Sequence, residues 1–357
     1  MKHWQQYNTI EKLQLLDITS ANTGLPRLAV EKDWWVTMAL KALTMTQFAH
    51  IISFKGGTSL SKGWHLIDRF SEDIDIALKR EDRFSINGFS NTQLAKARRT
   101  ARHYILRELP LELHSALSSL GISNFTIEPE LSRMVDGKRF DLRADTHPSV
   151  LFVNYESVIP ETSEYVQPRV KIEISCLSMD EPIEELCLKS FISSSVPESE
   201  DIEVKIRTVI PTRTFLEKMF LLHEEFQKRQ PRSFRMSRHL YDLEKIMDTD
   251  FGLKALLDLQ LYMDIVKHRS IYNKLPYVDY KTHHPQLINF LPPASVIKEW
   301  ELDYDKMRNQ FIYDSQKVSF KQILERMRLL QRRVREMKME HPIQQFNEGK
   351  VISQRDD

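Results

Sequence analysis

The chain has 357 residues, 41% of them hydrophobic, with 51 lysines and arginines set against 50 aspartates and glutamates. That is enough apolar material for two or three structural units, and the cancelled charge excludes a protein that coats nucleic acid or a membrane surface through its overall field. Cys176 and Cys187 are too few for a disulfide framework or a zinc site, and no apolar run reaches membrane-spanning length. The polar start MKHWQQYNTIEKLQLL lacks the apolar core of a signal peptide, so a reducing, cytoplasmic setting without membrane contact is expected.

From Thr9 to Leu43 apolar residues recur at helical spacing, which predicts two helices joined by the turn ANTGLPR. The period then changes. Ile51 to Phe54 reads as a short buried strand, Thr58 to Leu66 as a helix, Asp73 to Leu78 as a second strand, and Ser90 to Leu120 as one long helix. Strand patterns return in RFDLRAD, SVLFVNYES, RVKIEIS and EVKIRTVI, which predicts a mixed α and β half with one sheet. Beyond Pro211 the pattern is helical, through TFLEKMFLLHEEF, RHLYDLEKIM, KALLDLQLYMDIVKHRS and FKQILERMRLLQRRVREM. The expected boundary falls between residues 1–210 and 211–357. No glycine- and serine-rich linker separates the halves, so they are expected to pack together, and the residues after Pro342 read as a frayed tail.

The densest chemistry lies in FKGGTSLSKGWHLIDRFSEDIDIAL, Phe54 to Leu78. Residues two apart in a strand share a face, so Ser71, Asp73 and Asp75 line one side while Ile74 and Ile76 turn to the core. Two adjacent carboxylates suit magnesium ions that bridge phosphate oxygens, although the same doublet also suits a charged strand exit in water. Just upstream, the pair Gly56 and Gly57 permits a sharp turn, and a helix opening at Thr58 or Ser59 would aim backbone N–H groups at an anion, with Lys62 one turn along. An ordinary capped strand-to-helix turn reads the same way in isolation. Neither the P-loop spacing nor the G-x-G-x-x-G pattern of dinucleotide-binding folds is present. Basic residues cluster in KRQPRSFRMSRH, where Lys228, Arg229, Arg232, Arg235 and Arg238 surround Phe234; this suits an anion track with a stacking ring, or surface arginines between helices. Trp34 and Trp35 read as core.

GGTSLSK followed by RFSEDIDIAL resembles the AbiEii/AbiGii nucleotidyltransferase toxins, within the DNA polymerase β-like superfamily. VEKDWWV, FLEKMFLL and SRHLYDLEKIM extend the resemblance from about Glu31 to Met247. It implies an α+β fold: a polymerase β-like nucleotidyltransferase domain with a mixed sheet, followed by an all-helical C-terminal domain that completes the active-site cleft. It also implies that Gly56, Gly57, Thr58 and Ser59 cradle phosphates with Lys62 nearby, that Ser71 supports the nucleotide, and that Asp73 and Asp75 hold Mg²⁺. A third carboxylate is expected from a neighbouring strand. Glu173 in RVKIEIS is the first candidate, with Asp141 and Asp145 as rivals and a plain surface pair with Lys171 or Arg169 as the bland alternative. Lys218 would set a cation against the nucleotide phosphates, and Asp242 would orient that lysine or take the proton of the attacking hydroxyl. His239 stands where many members carry an acid, which leaves that position's role open, and Glu31, Lys32 and Asp33 are given only a structural role. The implied activity is transfer of a nucleotidyl group from an NTP to RNA, such as a tRNA 3′ end, by a toxin with a cognate antitoxin. A small-molecule or protein acceptor, and a non-catalytic nucleotide-binding module, remain alternatives.

Overall fold

The computed structural model describes residues 4–79, 90–135, 137–160, 166–179, 181–196, 202–314 and 316–338. The tail expected after Pro342 lies outside them. The described residues group into two compact units, one drawn from 1–85, 96–211 and 309–317, the other from 86–95, 212–308 and 318–357.

The first unit opens with helices α1 (Thr9–Thr23) and α2 (Arg27–Leu43), as the periodicity predicts. Asn8 and Glu11 form a reciprocal cap at the start of α1, and Gly24 in the left-handed conformation ends it. Helix α2 is buried on nearly all sides, including its charged residues Glu31, Lys32 and Asp33. Next come β1 (Ile52–Lys55), a single turn α3 (Gly56–Thr58) that widens into a π turn over Ser59–Gly63, and β2 (Ile74–Leu78). The helix predicted from Thr58 to Leu66 is therefore shorter, begins two residues earlier and is irregular. The long helix predicted from Ser90 is two, α4 (Asn91–Arg107) and α5 (Leu109–Ser119). Pro110 causes the break, because it cannot donate a helical hydrogen bond and its ring crowds the turn before it.

Strands β3 (Phe125–Pro129), β6 (Ser149–Tyr155), β7 (Arg169–Ser175), β8 (Ile183–Leu188) and β9 (Val204–Val209) join β1 and β2 in one mixed sheet, ordered β3-β6-β7-β2-β1-β9-β8. RFDLRAD does not join it. Its β5 (Lys138–Asp141) pairs only with β4 (Ser132–Val135), in a separate two-stranded ribbon whose described side chains are largely exposed. A short helix α6 (Phe191–Ser195) links β8 to β9. The central pairs are β1 with β2, antiparallel, and β2 with β7, parallel, so Asp75 stands between Lys55 and Glu173 in register.

The described part of the second unit is helical: α7 (Pro211–Glu225), α8 (Arg238–Ile246), α9 (Asp250–Leu257), α10 (Leu259–His268), α11 (Ile297–Gln310) and α12 (Phe320–Arg335). Phe215, Leu216, Met219, Phe220 and Leu222 are fully buried along α7, and each large apolar side chain so buried stabilises by about 1.5–3 kcal/mol. Beside them lies a buried polar cluster. Glu224 accepts from Arg269 Nε at 2.7 Å and contacts His283 Nε2 at 3.2 Å, while His223 Nε2 lies 2.8 Å from the Thr282 hydroxyl. Burial, aided by the neighbouring His283, drops the His223 pKa to about 4, whereas Arg269 and His283 outweigh burial at Glu224 and hold it at about 2. Both folded values lie below the free ones, so the unfolded chain binds more protons as pH falls. Stability should therefore drop between pH 6.5 and 4 by roughly 3 kcal/mol for His223 alone, and further below pH 4.5 as Glu224 protonates. Chemical denaturation across that range checks this, and His223→Gln should flatten the upper part of the curve.

Candidate active site

Ser71, Asp73 and Asp75 are each partly accessible, whereas Glu72, Ile74 and Ile76 are buried, so the alternation predicted for this segment holds. The sheet adds neighbours on the same face. Asp75 is the register partner of Glu173 on β7 and of Lys55 on β1, and Lys171 sits two residues from Glu173 on the same side. Lys171 Nζ lies 2.7 Å from Glu173 Oε2. Burial works to lower the Lys171 pKa, yet Glu173, Asp73 and Asp75 outweigh it and hold the ammonium above the ordinary lysine value. Three carboxylates thus act on one lysine, and Glu173 is both the strand neighbour of Asp75 and the ion-pair partner of Lys171. Asp141 and Asp145 are placed elsewhere: Asp141 is on the ribbon beside Arg139, and Asp145 is beside Arg143. Among the described residues, no group of three His, Cys, Asp or Glu side chains is gathered closely enough to hold a metal ion between them. The carboxylates on this face are nonetheless the hard oxygen donors that a cation such as Mg²⁺ takes.

The glycine pair is explained by the same carboxylates. Gly56 has φ +81°, which favours glycine, and a methyl there would stand 2.8 Å from Asp75 Cγ and 3.0 Å from its Cβ. A methyl on Gly57 would meet the Arg69 guanidinium at 2.7 Å and the Ser71 hydroxyl at 2.9 Å. The turn therefore packs its bare backbone against Asp75, Arg69 and Ser71. Thr58 Oγ1 donates to the Asp73 carbonyl at 2.5 Å and lies 2.9 Å from the Ser71 hydroxyl, and Ser59 Oγ donates to the Gly56 carbonyl at 2.9 Å. Thr58 and Ser59 so knit the turn to the carboxylate segment. Lys62 points inward instead, with Nζ 2.7 Å from both Asp33 Oδ1 and the Lys189 carbonyl. An exposed cation one turn beyond the glycines is not what the fold provides there.

In the helical unit Lys218 Nζ lies 2.8 Å from Asp242 Oδ2 and 3.4 Å from His239 Nδ1. Lys218 is buried, contrary to the solvent-facing position that an amphipathic reading of α7 permits, because Asp242 and His239 on α8 receive its ammonium. Within KRQPRSFRMSRH, Lys228 and Arg232 pair with Glu225, the backbone N–H of Arg235 donates to Asp303, and Phe234 is 78% exposed. Sequence reasoning missed Lys55 and Arg69 and treated Lys171 only as a partner for Glu173. Strand alternation in ISFK places Lys55 opposite the core residue Phe54 and could have found it. Arg69 carried no such signal.

This α+β unit carries paired strand carboxylates beside a glycine turn, the residues on which the resemblance to nucleotidyltransferases rests. The family model described as "Nucleotidyl transferase AbiEii toxin, Type IV TA system" matches residues 39–326, most of the chain. The chain belongs to this AbiEii family and is a nucleotidyltransferase toxin of the type IV toxin–antitoxin class. Among solved structures it is similar to MenT4, a nucleotidyltransferase toxin from Mycobacterium tuberculosis H37Rv, at 15% identity and a TM-score of 0.44, over 88% of this chain and 98% of that one. No curated protein matches it significantly in sequence. No helix among the described residues is long and apolar enough to cross a membrane.

Proposed function

We propose that this chain is a Mg²⁺-dependent enzyme that moves a nucleotidyl group from an NTP onto an RNA hydroxyl, such as a tRNA 3′ end, in the cytoplasm, under the control of a cognate antitoxin. The observation that carries the reading is the register of Asp75 with Glu173, with Asp73 on the same face and the Gly56–Gly57 turn packed against Asp75. Asp73 and Asp75 would hold the metal, with Glu173 as the third carboxylate. When bound, Mg²⁺ screens phosphate charge and eases ionisation of the attacking hydroxyl. That oxygen attacks the α-phosphorus, the bond to the bridging oxygen breaks, pyrophosphate leaves and the hydroxyl proton is released. Gly57, Thr58, Ser59 and Ser71 are the residues that the family resemblance assigns to the phosphates; the Thr58 and Ser59 hydroxyls are turned onto backbone carbonyls, which leaves the turn's backbone N–H groups for that role.

The family resemblance assigns Lys218 to neutralising the phosphates. Asp242 is fully buried against that ammonium, which favours an orienting role over that of proton acceptor. Lys218 and Asp242 form a buried ion pair, so the informative change removes both charges together, Lys218→Met with Asp242→Asn. The double variant should unfold like the wild type and lose about 100-fold in kcat/KM, equivalent to roughly 3 kcal/mol of transition-state binding. The test of the whole reading is incubation with each labelled NTP, Mg²⁺ and total bacterial RNA. Label in a defined RNA band, lost without Mg²⁺, is the expected result; label in protein or in a small molecule would replace the acceptor, and no transfer to any acceptor would remove the activity.

A further inference from the structure

Glu31, Lys32 and Asp33 are consecutive charged residues on α2, and all three are buried. Each is tied to a different segment. Glu31 accepts from the Ser157 hydroxyl at 2.6 Å and the Val158 N–H at 2.8 Å. Lys32 Nζ lies 2.6 Å from Glu72 Oε2 and donates to the Gln167 carbonyl at 3.1 Å. Asp33 Oδ1 receives Lys62 Nζ at 2.7 Å, and its Oδ2 accepts the Phe191 N–H at 2.8 Å.

The destinations of Lys32 and Asp33 are the two arms of the candidate site. Glu72 stands between Ser71 and Asp73 and points to the opposite, buried side, so holding its carboxylate fixes the backbone from which Ser71 and Asp73 project. Lys62 lies in the π turn that continues the Gly56–Gly57 turn, so holding its ammonium fixes how that turn lies against Asp75. Neighbours on a helix are separated by a rise of about 1.5 Å, so a rigid α2 sets the two arms at one fixed separation. Replacing a buried ion pair by neutral groups is often close to neutral for stability, which leaves stability a weak reason for spending four buried charges here. Groups behind metal and phosphate ligands commonly serve to orient them.

We propose that Lys32 and Asp33 are positioning residues of the nucleotidyltransferase site: Lys32, through Glu72, aligns the carboxylate strand, and Asp33, through Lys62, aligns the phosphate turn. The inference rests on the function proposed above, and it assigns each pair a different kinetic signature. Disturbing the carboxylate arm weakens metal use and the chemical step, whereas disturbing the turn weakens NTP binding.

The test uses the full chain with Lys32→Met plus Glu72→Gln, and separately Asp33→Asn plus Lys62→Met, so that neither variant keeps an unpaired buried charge. Three properties are measured: the thermal unfolding midpoint, equilibrium binding of an α,β-methylene NTP analogue as Mg²⁺ is titrated, and transfer kinetics. The first variant should need at least fivefold more Mg²⁺ for half-maximal binding and lose at least tenfold in kcat, with KM for the NTP within twofold. The second should bind the analogue at least fivefold more weakly, with a smaller change in kcat. Lys32→Arg should keep kcat within about threefold of wild type. Two variants that both match wild type, or that both lose all parameters in step with their folded fraction, would overturn the proposal. Wild type that binds the analogue with Mg²⁺ but labels no acceptor would sink the proposed transfer, while the two binding shifts would still decide the positioning roles. Wild type that binds no analogue would end both.

Discussion

Asp73→Asn and Asp75→Asn should each cut nucleotidyl transfer by about a thousandfold or more, a loss of roughly 4 kcal/mol of transition-state stabilisation, without lowering the unfolding midpoint. The isosteric amide keeps shape and one acceptor oxygen but removes the charge that a hard cation needs. Stability should hold for two reasons. Both side chains are partly accessible, where substitutions ordinarily stay within about ±0.5 kcal/mol. They also share one face with Glu173 and Lys171, so a lost carboxylate gives up attraction to the ammonium and repulsion from the neighbouring acids together, and the two changes offset. Circular dichroism melts beside labelled-NTP assays decide the matter. Retained transfer by Asp73→Asn would take the carboxylate pair out of the reaction, and loss of folding in step with activity would make it a structural pair.

Much of the first unit was legible because its signals are local. The alternation through SEDIDIAL set Asp73 and Asp75 apart from Ile74 and Ile76, and the periodicity of EKLQLL and LAVEKDWWVTMALKAL marked two helices. Where the reading failed, the information was either weak or distant. Strand β3 shows only half-buried and exposed residues and ends in a proline, and β8 carries Glu184 and Glu185; short, charged or proline-bearing strands are how sheets protect their edges, and they leave little hydrophobic trace. The partners of Lys62 and Lys32, Asp33 and Glu72, lie 29 and 40 residues away in sequence. No spacing rule reaches that far. Lys62 was therefore assigned to phosphate from its place after the glycines, although the fold turns it toward α2. The sequence alone leaves Glu173 between metal ligand and lysine partner; the structure shows its contact with Lys171 and its register with Asp75, because a strand carboxylate has same-strand and cross-strand neighbours together.

The glycines separate these two kinds of information, and Gly56→Ala should damage transfer more than a methyl added at Gly24 or Gly57. The left-handed φ of Gly56 alone costs an alanine about 1–2 kcal/mol. Gly24, Gly121 and Gly137 also have positive φ, yet a methyl at any of them meets nothing within 4 Å. Gly24→Ala therefore isolates the backbone cost: about 1 kcal/mol of stability lost, with transfer unchanged. At Gly56 the methyl also strikes the Asp75 carboxylate and its Cβ, so relief requires moving the side chain from its root, not only rotating its tip. The expected result is a loss of about 2–3 kcal/mol of stability together with at least a hundredfold loss of transfer, because Asp75 no longer projects as it does beside Glu173. Gly57→Ala lies between the two. Its φ carries no penalty, and the methyl meets the flexible ends of Arg69 and Ser71, so the fold should tolerate it while KM for the NTP rises several-fold. Measuring midpoint, kcat and KM for the three alanine variants at 25 °C orders them directly. If Gly56→Ala and Gly24→Ala behave alike, the glycine pair serves the turn only; if Gly56→Ala loses kcat far beyond its loss of stability, bare backbone at residue 56 is what allows Asp75 to occupy the site.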